Sequence, residues 1–253
     1  MRVMADSENP ELASFDSWAV SLGDGASPIV GDPLEENVKL PSNLCFEVEE
    51  DQYGKGMEQF CEMIYPSLAR RYNEDGYFQD RAILAPTNHM KEAINDHLMS
   101  KLPTEEVVLL SADSTVQPGD AALHPVEVLN TLLPQGLPKH RLTLRPGAIL
   151  RLMRNLNPRD GLCNGTRMVF VGVINGKVGI SILQVRDFNL QVMHCKIRDK
   201  NTQDGCRDVF IPRISLYPKN VEQYGFEWTR RQFPVCPAFA MTVNASMVSN
   251  CWH

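Results

Sequence analysis

The stretch from Arg141 to Val171 constrains this chain more than any other. It is a basic, β-prone run interrupted by a turn that contains Gly and Asn, at Gly161–Gly165. In a regular strand successive side chains alternate between faces, so Arg151 and Arg154, three apart, point in opposite directions. Arg145, Arg151 and Arg167 share a face only if the intervening turns fold the chain back on itself. Arginine suits phosphate because its planar fork donates two hydrogen bonds at once. Strand-flanking arginines also cover sheet edges and discourage aggregation. Residue type leaves both roles open. Asn164-Gly165 most simply makes a tight turn, and a turn with exposed N–H groups can also hold a phosphate.

Charge is divided along the chain. Residues 139–231 hold 17 Lys/Arg against 7 Asp/Glu, whereas the remainder holds 8 against 24. Such asymmetry suits a polyanion-binding face, and it equally suits basic and acidic parts that neutralise each other within one fold. The seven cysteines are scattered, with no C-x-x-C pair, which fits neither a disulfide framework nor a zinc site. His194 beside Cys195 reads as an ordinary strand pair on opposite faces. No run reaches the ~18–20 apolar residues of a membrane span, and the N-terminal residues lack a secretory layout. An intracellular protein without a membrane partner is the expectation.

Four regions are expected. Residues 1–56 are acidic and rich in Gly, Pro, Ser and Asn, mostly loop, with a short apolar segment at Phe15, Trp18, Val20 and Leu22. From 57 to 117 the pattern alternates between helix and strand. Met57, Phe60, Cys61 and Ile64 form one helical stripe that Pro66 ends. Arg81–Ala85 is a strand, Thr87 or Asn88 caps a helix carrying Met90, Ala93, Ile94 and Leu98 on one face, and Val107–Leu110 is a second strand. Strand, helix, strand in that order predicts a βαβ unit in a parallel sheet, with Pro86-Thr87-Asn88 at the strand end where ligands bind. Residues 118–231 are the basic, β-rich region, with strands at 167–173, 177–185, 191–197, 208–211 and 213–217 and a hairpin at Asn175-Gly176. They predict a small barrel or sandwich. Residues 232–253 bring back a buried strand, Cys236–Val243, and a short tail.

Familiar enzymatic signatures are missing from the sequence. It contains no G-x-x-x-x-G-K-[ST] phosphate loop, no G-x-S-x-G and no H-E-x-x-H. Glu105-Glu106 and Glu49-Glu50-Asp51 read as solvated surface rather than an acid/base pair. No catalytic residue and no metal ligand is assigned.

Four segments carry a resemblance. HPVEVLNTLLPQGLPKHRLTLRPGAILRLMRNLNPRDGLCNGTRMVFV (124–171) resembles a segment of the PIF-type 5′→3′ DNA helicases, and RAILAPTNHMKEAIND (81–96) is similar to the head of that family's second RecA-like core. RRQFPVCPAFAMTVN (230–244) is similar to the strand before its late motor motif, and FDSWAVSLGDG (15–25) fits the version carried by Helitron transposons. The resemblance implies an α/β fold: a partial RecA-like (P-loop NTPase-like) second core with a β-rich, SH3- or barrel-like insert. It implies single-stranded DNA as partner, contacted by Pro86, Thr87, Asn88, Arg145, Arg151, Arg154, Asn155, Asn164, Gly165, Thr166, Arg167, Thr242 and Asn244. In the family ATP and Mg2+ drive unwinding from a first core, in repair, recombination, telomere maintenance or transposition, and the expected location is the nucleus. After Asn244 this sequence reads Ala245-Ser246-Met247-Val248, where the family has Lys-Ser-Gln-Gly-Gln. Arg145-Pro146 stands where it has Lys before Gly. The expectation is therefore a truncated helicase portion that lacks the phosphate loop and is inactive alone, or a non-catalytic DNA-binding module left by a transposon.

Overall fold

The computed structural model describes residues 10–26, the positions 38, 40, 42 and 45, and residues 53–175, 191–199, 201–202, 205–219 and 221–243. Contacts divide the chain into two units, Met1–Gly56 and Met57–His253. The strand expected at 177–185, Gly176 of the hairpin, Asn244 and the tail lie outside the described residues.

In the first unit a helix, α1 (Pro10–Gly23), occupies a region read as loop. Proline at its first position and Gly25 just past its end define it. Gly25 adopts φ 68°, its N–H reaches Leu22 O, and Ala26 N reaches Ser21 O at 2.8 Å, a Schellman-type close. Phe15 and Trp18 pair with ring centroids 5.6 Å apart.

Helix α2 (Tyr53–Ile64) begins in the last residues of the first unit, and in the second unit it and the short α3 (Leu68–Arg71) precede strand β1 (Ile83–Ala85) and helix α4 (Asn88–Lys101). Cys61 is buried, and Met57, Phe60 and Ile64 pack beside it, as the helical stripe predicts. Thr87 caps α4, its hydroxyl accepting from Met90 N at 3.2 Å. The face α4 buries is Ile94, Asn95, Leu98 and Met99, with Ala93 exposed instead.

Strand β1 pairs in parallel with β12 (Ala240–Thr242), Ile83 opposite Ala240 and Ala85 opposite Thr242. Asn95 explains its own burial. Its Nδ2 donates to Ala240 O and its Oδ1 accepts from Ala240 N, both at 3.0 Å. One side-chain amide thus satisfies both main-chain groups that β12 turns away from β1.

The βαβ expectation fails at its second strand. β2 (Val107–Leu110) does not join β1; it pairs antiparallel with β4 (Arg141–Leu144), Leu109 opposite Leu142. Two contacts favour this. Leu109, Leu142 and Leu144 bury together, and the Arg145 guanidinium gathers the carbonyls of Leu102 and Thr104, drawing the end of α4 toward the end of β4. β3 (Ala112–Thr115) pairs with β10 (Trp228–Gln232), which pairs in turn with β9 (Ile214–Leu216). A small helix, α5 (Val126–Thr131), leads from a 3-10 turn at Pro118–Ala122 toward β4.

The largest sheet is antiparallel, in the order β11 (Val235–Pro237), β5 (Ile149–Leu152), β6 (Arg167–Asn175), β7 (Gln191–Arg198) and β8 (Cys206–Pro212). Among the described residues β8 does not pair with β11, so the sheet is open between those two strands. β6 pairs with β7, Asn175 opposite Gln191.

Cys236–Val243, read as one strand, is two. β11 lies antiparallel to β5, then Ala238 N bonds Ile149 O, Phe239 O accepts from Ile83 N, and β12 runs parallel to β1. The sheets also cross the expected boundaries at 117/118 and 231/232, because β2 and β3 pair with strands beyond the first and β11 belongs to the sheet of β5. A single hydrophobic core accordingly includes Leu98, Leu109, Leu150, Phe170, Cys195, Ile211 and Phe239.

One charged residue is completely interior. Arg230 is 0% exposed, and its Nε and Nη2 bind the Asp113 carboxylate, Nη2 to Oδ2 at 2.6 Å. Its remaining N–H groups donate to the carbonyls of Leu129, Leu132 and Pro138. The guanidinium therefore fastens the C-terminal half of α5 and the loop that follows it to β3 and β10. Ser111 Oγ donates to Asp113 Oδ1 at 2.5 Å and lies 2.8 Å from His140 Nδ1. The serine has spent its proton, so His140 is the donor in that second bond.

Candidate nucleic-acid interface

The residues singled out from sequence fall into two groups, and the fold assembles each differently. At the first, β1 and β12 run parallel and end together, so Pro86, Thr87 and Asn88 lie at the same edge as Thr242. The three loop residues are exposed and Thr242 is half-buried. The extended β strand, the capped helix and the parallel register alone produce this juxtaposition.

The second group surrounds β5 and β6. Arg151 lies directly opposite Arg167 in the register, so the turns do fold these two onto one face. Their guanidinium groups, however, are occupied. Arg167 Nη1 donates to Phe78 O at 3.0 Å, and Nη2 to Arg81 O at 2.8 Å and Ala238 O at 3.4 Å. It thereby ties β6 to the residues just before β1 and β12. Tyr65 joins the same knot: its hydroxyl donates to Phe239 O at 2.8 Å, and burial pushes its pKa up to about 12 despite the neighbouring Arg167. Arg151 Nη2 lies 3.9 Å from Cys236 Sγ, Arg154 Nη1 donates to Met153 O, and Arg145 serves the carbonyls of Leu102 and Thr104. In Arg145 and Arg167 the planar fork reads main-chain carbonyls.

The Gly161–Thr166 segment is the tight turn that residue type suggested, and its hydrogen bonds are internal. Every N–H in it has an internal acceptor. Gly161 and Leu162 donate to Pro158 O and Asn157 O, Cys163 to Thr166 Oγ1, Asn164 to Asn155 Oδ1 at 2.7 Å, Gly165 to Leu152 O, and Thr166 to Cys163 O. Gly165 is needed for its φ of 96°. Asn155, Asn164, Gly165 and Thr166 thus build a self-satisfied turn, and its main chain offers no phosphate nest.

Sequence reasoning missed the cations that are available. Between residues 72–79 and the outer face of the five-stranded sheet lies a groove of about 1160 Å³. Strand alternation explains its lining. Met168, Phe170, Cys195 and Ile197 point into the core, which leaves Arg167, Val169 and Val171 of β6 and Lys196 and Arg198 of β7 on the opposite face. Arg159 joins them from the short 3-10 turn Pro158–Asp160. Arg159, Lys196 and Arg198 are exposed, and among the described residues none of them forms an ion pair. Arg207 is partnered by Asp199 at 3.2 Å and by Asp160 O. Period-two spacing could have marked Lys196 and Arg198 as outward-facing; nothing local marks Arg159.

A tight turn fixes one wall of the groove. Ala148 N bonds Arg145 O, with Pro146 and Gly147 (φ 91°) at the corners, a type II arrangement. The Tyr72 ring lies so close that a Cβ on Gly147 would come within 2.1 Å of it.

His194 and Cys195 do face opposite ways. Cys195 is buried, which pushes its thiol well up, while His194 Nε2 pairs with Asp208 Oδ1 at 2.7 Å on the outer face. Among the described residues no group of His, Cys, Asp and Glu could hold a metal ion, and no helix is long and apolar enough to cross a membrane.

Residues 127–173 match the family model described as DNA helicase Pif1, 2B domain. No curated protein sequence matches the chain. Among solved structures it is similar to the Pif1 helicase from Candida albicans, with a TM-score of 0.48 and 22% identity over 79% of this chain and 41% of that one. Unliganded Pif1 from Bacteroides sp gives 0.39 and 16%, over 69% and 45%. Bacteroides Pif1 bound to ssDNA gives 0.39 and 16%, over 66% and 32%. The chain spans less than half the length of each. The family match thus covers residues 127–173, from α5 through most of β6, and over that segment the chain is similar to the 2B domain of Pif1 helicases.

Proposed function

We propose that this chain is the strand-gripping portion of an ATP-dependent 5′→3′ DNA helicase, built as a second RecA-like core around β1, α4 and β12 with a 2B insert. The observation that carries the reading is the position of Arg159, Lys196 and Arg198. They line a groove on the outer face of the sheet formed in part by the 2B segment, and among the described residues none of them is in an ion pair. Cations so placed displace counterions condensed on a phosphate backbone. Pro86, Thr87, Asn88 and Thr242 meet the strand from the core side, and Asn244 follows them in sequence. ATP and Mg2+ act between this core and a first core that carries the phosphate loop. The Helitron-like segment at 15–25 favours a transposon-derived lineage working in the nucleus.

Fluorescence anisotropy with a labelled oligo-dT tests the reading. Binding at low salt is expected to weaken linearly on a log–log salt plot, with a slope of about −0.7 for each phosphate neutralised. Replacing Arg159, Lys196 and Arg198 together by Ala is expected to flatten that slope by about 2 units. An unchanged slope overturns the assignment. A second reading is a non-catalytic DNA-binding module, in which the same groove cations hold a strand without turnover. Strand-stimulated ATP turnover by the chain alone excludes it; strand binding without turnover supports it.

A further inference from the structure

On the outer face of the sheet Phe210 of β8 stands directly opposite His194 of β7. Their rings stack, centroids 5.1 Å apart and planes 18° apart. Phe210 is half-buried yet is not among the aromatic residues packed against the hydrophobic core, unlike Phe60 and Tyr72. Asp208 holds His194 by the 2.7 Å bond to Nε2, fixing the imidazole plane. Lys196 follows two residues along β7, about 7 Å away, and Arg198 two residues further. A flat ring pair on a sheet face beside a row of cations is the combination that single strands recognise. Every base has a π-face to stack, and every linkage a phosphate to neutralise. Acids lie nearby as well: Asp208, opposite Lys196 in the register, is engaged by His194, Asp199 by Arg207 and Glu74 by Arg71, while Asp75 and Asp160 also line the groove.

We infer that Phe210 and His194 form a stacking platform for an unpaired nucleobase, with Lys196 and Arg198 meeting the adjoining phosphates. The inference rests on the single-strand reading above and adds to it a contact with the base itself. The pair is sequence-tolerant, since stacking reads the ring and not its edge.

The test uses the full chain, labelled oligo-dT, and an oligonucleotide of the same length with abasic sites throughout its centre, at equal salt. The intact protein is expected to bind oligo-dT about five- to 150-fold more tightly than the abasic strand, the range for one lost base stack. Phe210→Leu keeps an apolar side chain on the sheet and is expected to erase that preference while leaving the salt slope unchanged. His194→Ala is expected to reduce it in the same way, and it stands in if Phe210→Leu loses cooperative melting. Equal affinity of the intact protein for both strands, or a preference that survives both substitutions, overturns the platform and leaves strand gripping intact. Failure to bind either strand at low salt overturns both readings.

Discussion

Removing the Asp113 carboxylate is the sharpest probe of how this fold is held. Arg230 is fully buried and its charge is balanced by Asp113, whose side chain is equally inaccessible. In Asp113→Ala the guanidinium keeps its bonds to Leu129, Leu132 and Pro138 but loses the compensating charge. Stranding one partner of a buried ion pair costs about 3–5 kcal/mol, against roughly 5–15 kcal/mol of total stability for a typical domain. Arg230→Met is expected to cost as much, since it strips the buried Asp113 carboxylate of its countercharge and takes one donor from each of three carbonyls. Asp113→Leu combined with Arg230→Met removes both charges and is expected to cost at least ~2 kcal/mol less than the two single losses added together. Urea unfolding at neutral pH with linear extrapolation measures all of these. A loss under ~1 kcal/mol for Asp113→Ala, or strictly additive single changes, refutes the argument that this pair closes the α5 segment onto β3 and β10.

Three other expectations are independent of that pair. Gly147→Ala combines a φ of 91° with a Cβ pressed into the Tyr72 ring, so a loss of about 2–4 kcal/mol is expected from thermal or urea melting; a melting curve like that of the parent chain contradicts the close approach. Asn95→Ala leaves Ala240 N and O unpaired in the interior, and about 2–4 kcal/mol should be lost in the same assay. Burial raises the Tyr65 pKa in the folded chain to about 12, above the ordinary tyrosine value of about 10, so its contribution is complete below pH 10 and lost as the pH climbs toward 12. Roughly 2–3 kcal/mol of alkaline destabilisation is expected over that window, and Tyr65→Phe should lack it; identical alkaline profiles for the two proteins would count against it.

Much of this fold can be read directly from residue patterns, and the failures have physical causes. The stripe at Met57–Ile64, the Thr87 cap and the strands of the basic region follow from spacing of 3.6 and 2, which depends only on neighbours in the chain. Strand partners do not. Val107–Leu110 looks like the second half of a βαβ unit until Arg145 and the leucines of β4 compete for it. Ala238-Phe239 carries no Gly or polar break to mark the change of sheet. The helix at Pro10–Gly23 was legible in its terminal Pro and Gly and hidden by the loop-like composition around it. The arginines show the same division. Their presence was evident, but whether each guanidinium meets solvent or a carbonyl depends on segments as distant as Phe78 and Ala238 for Arg167, or Asp113 for Arg230. Period-two spacing puts Lys196 and Arg198 on one face of β7, whereas nothing in the sequence near Arg159 places it beside them.

The passage from β11 to β12 has a mechanical consequence. Only Ala238 and Phe239, both fully buried, separate the residue paired with Leu150 from the residue paired with Ile83. With no slack there, tension on a strand held against the outer sheet would travel along taut backbone to Thr242 and the neighbouring Pro86 edge. The two surfaces proposed to contact a strand would then advance or yield in step, like two hands on one short rod.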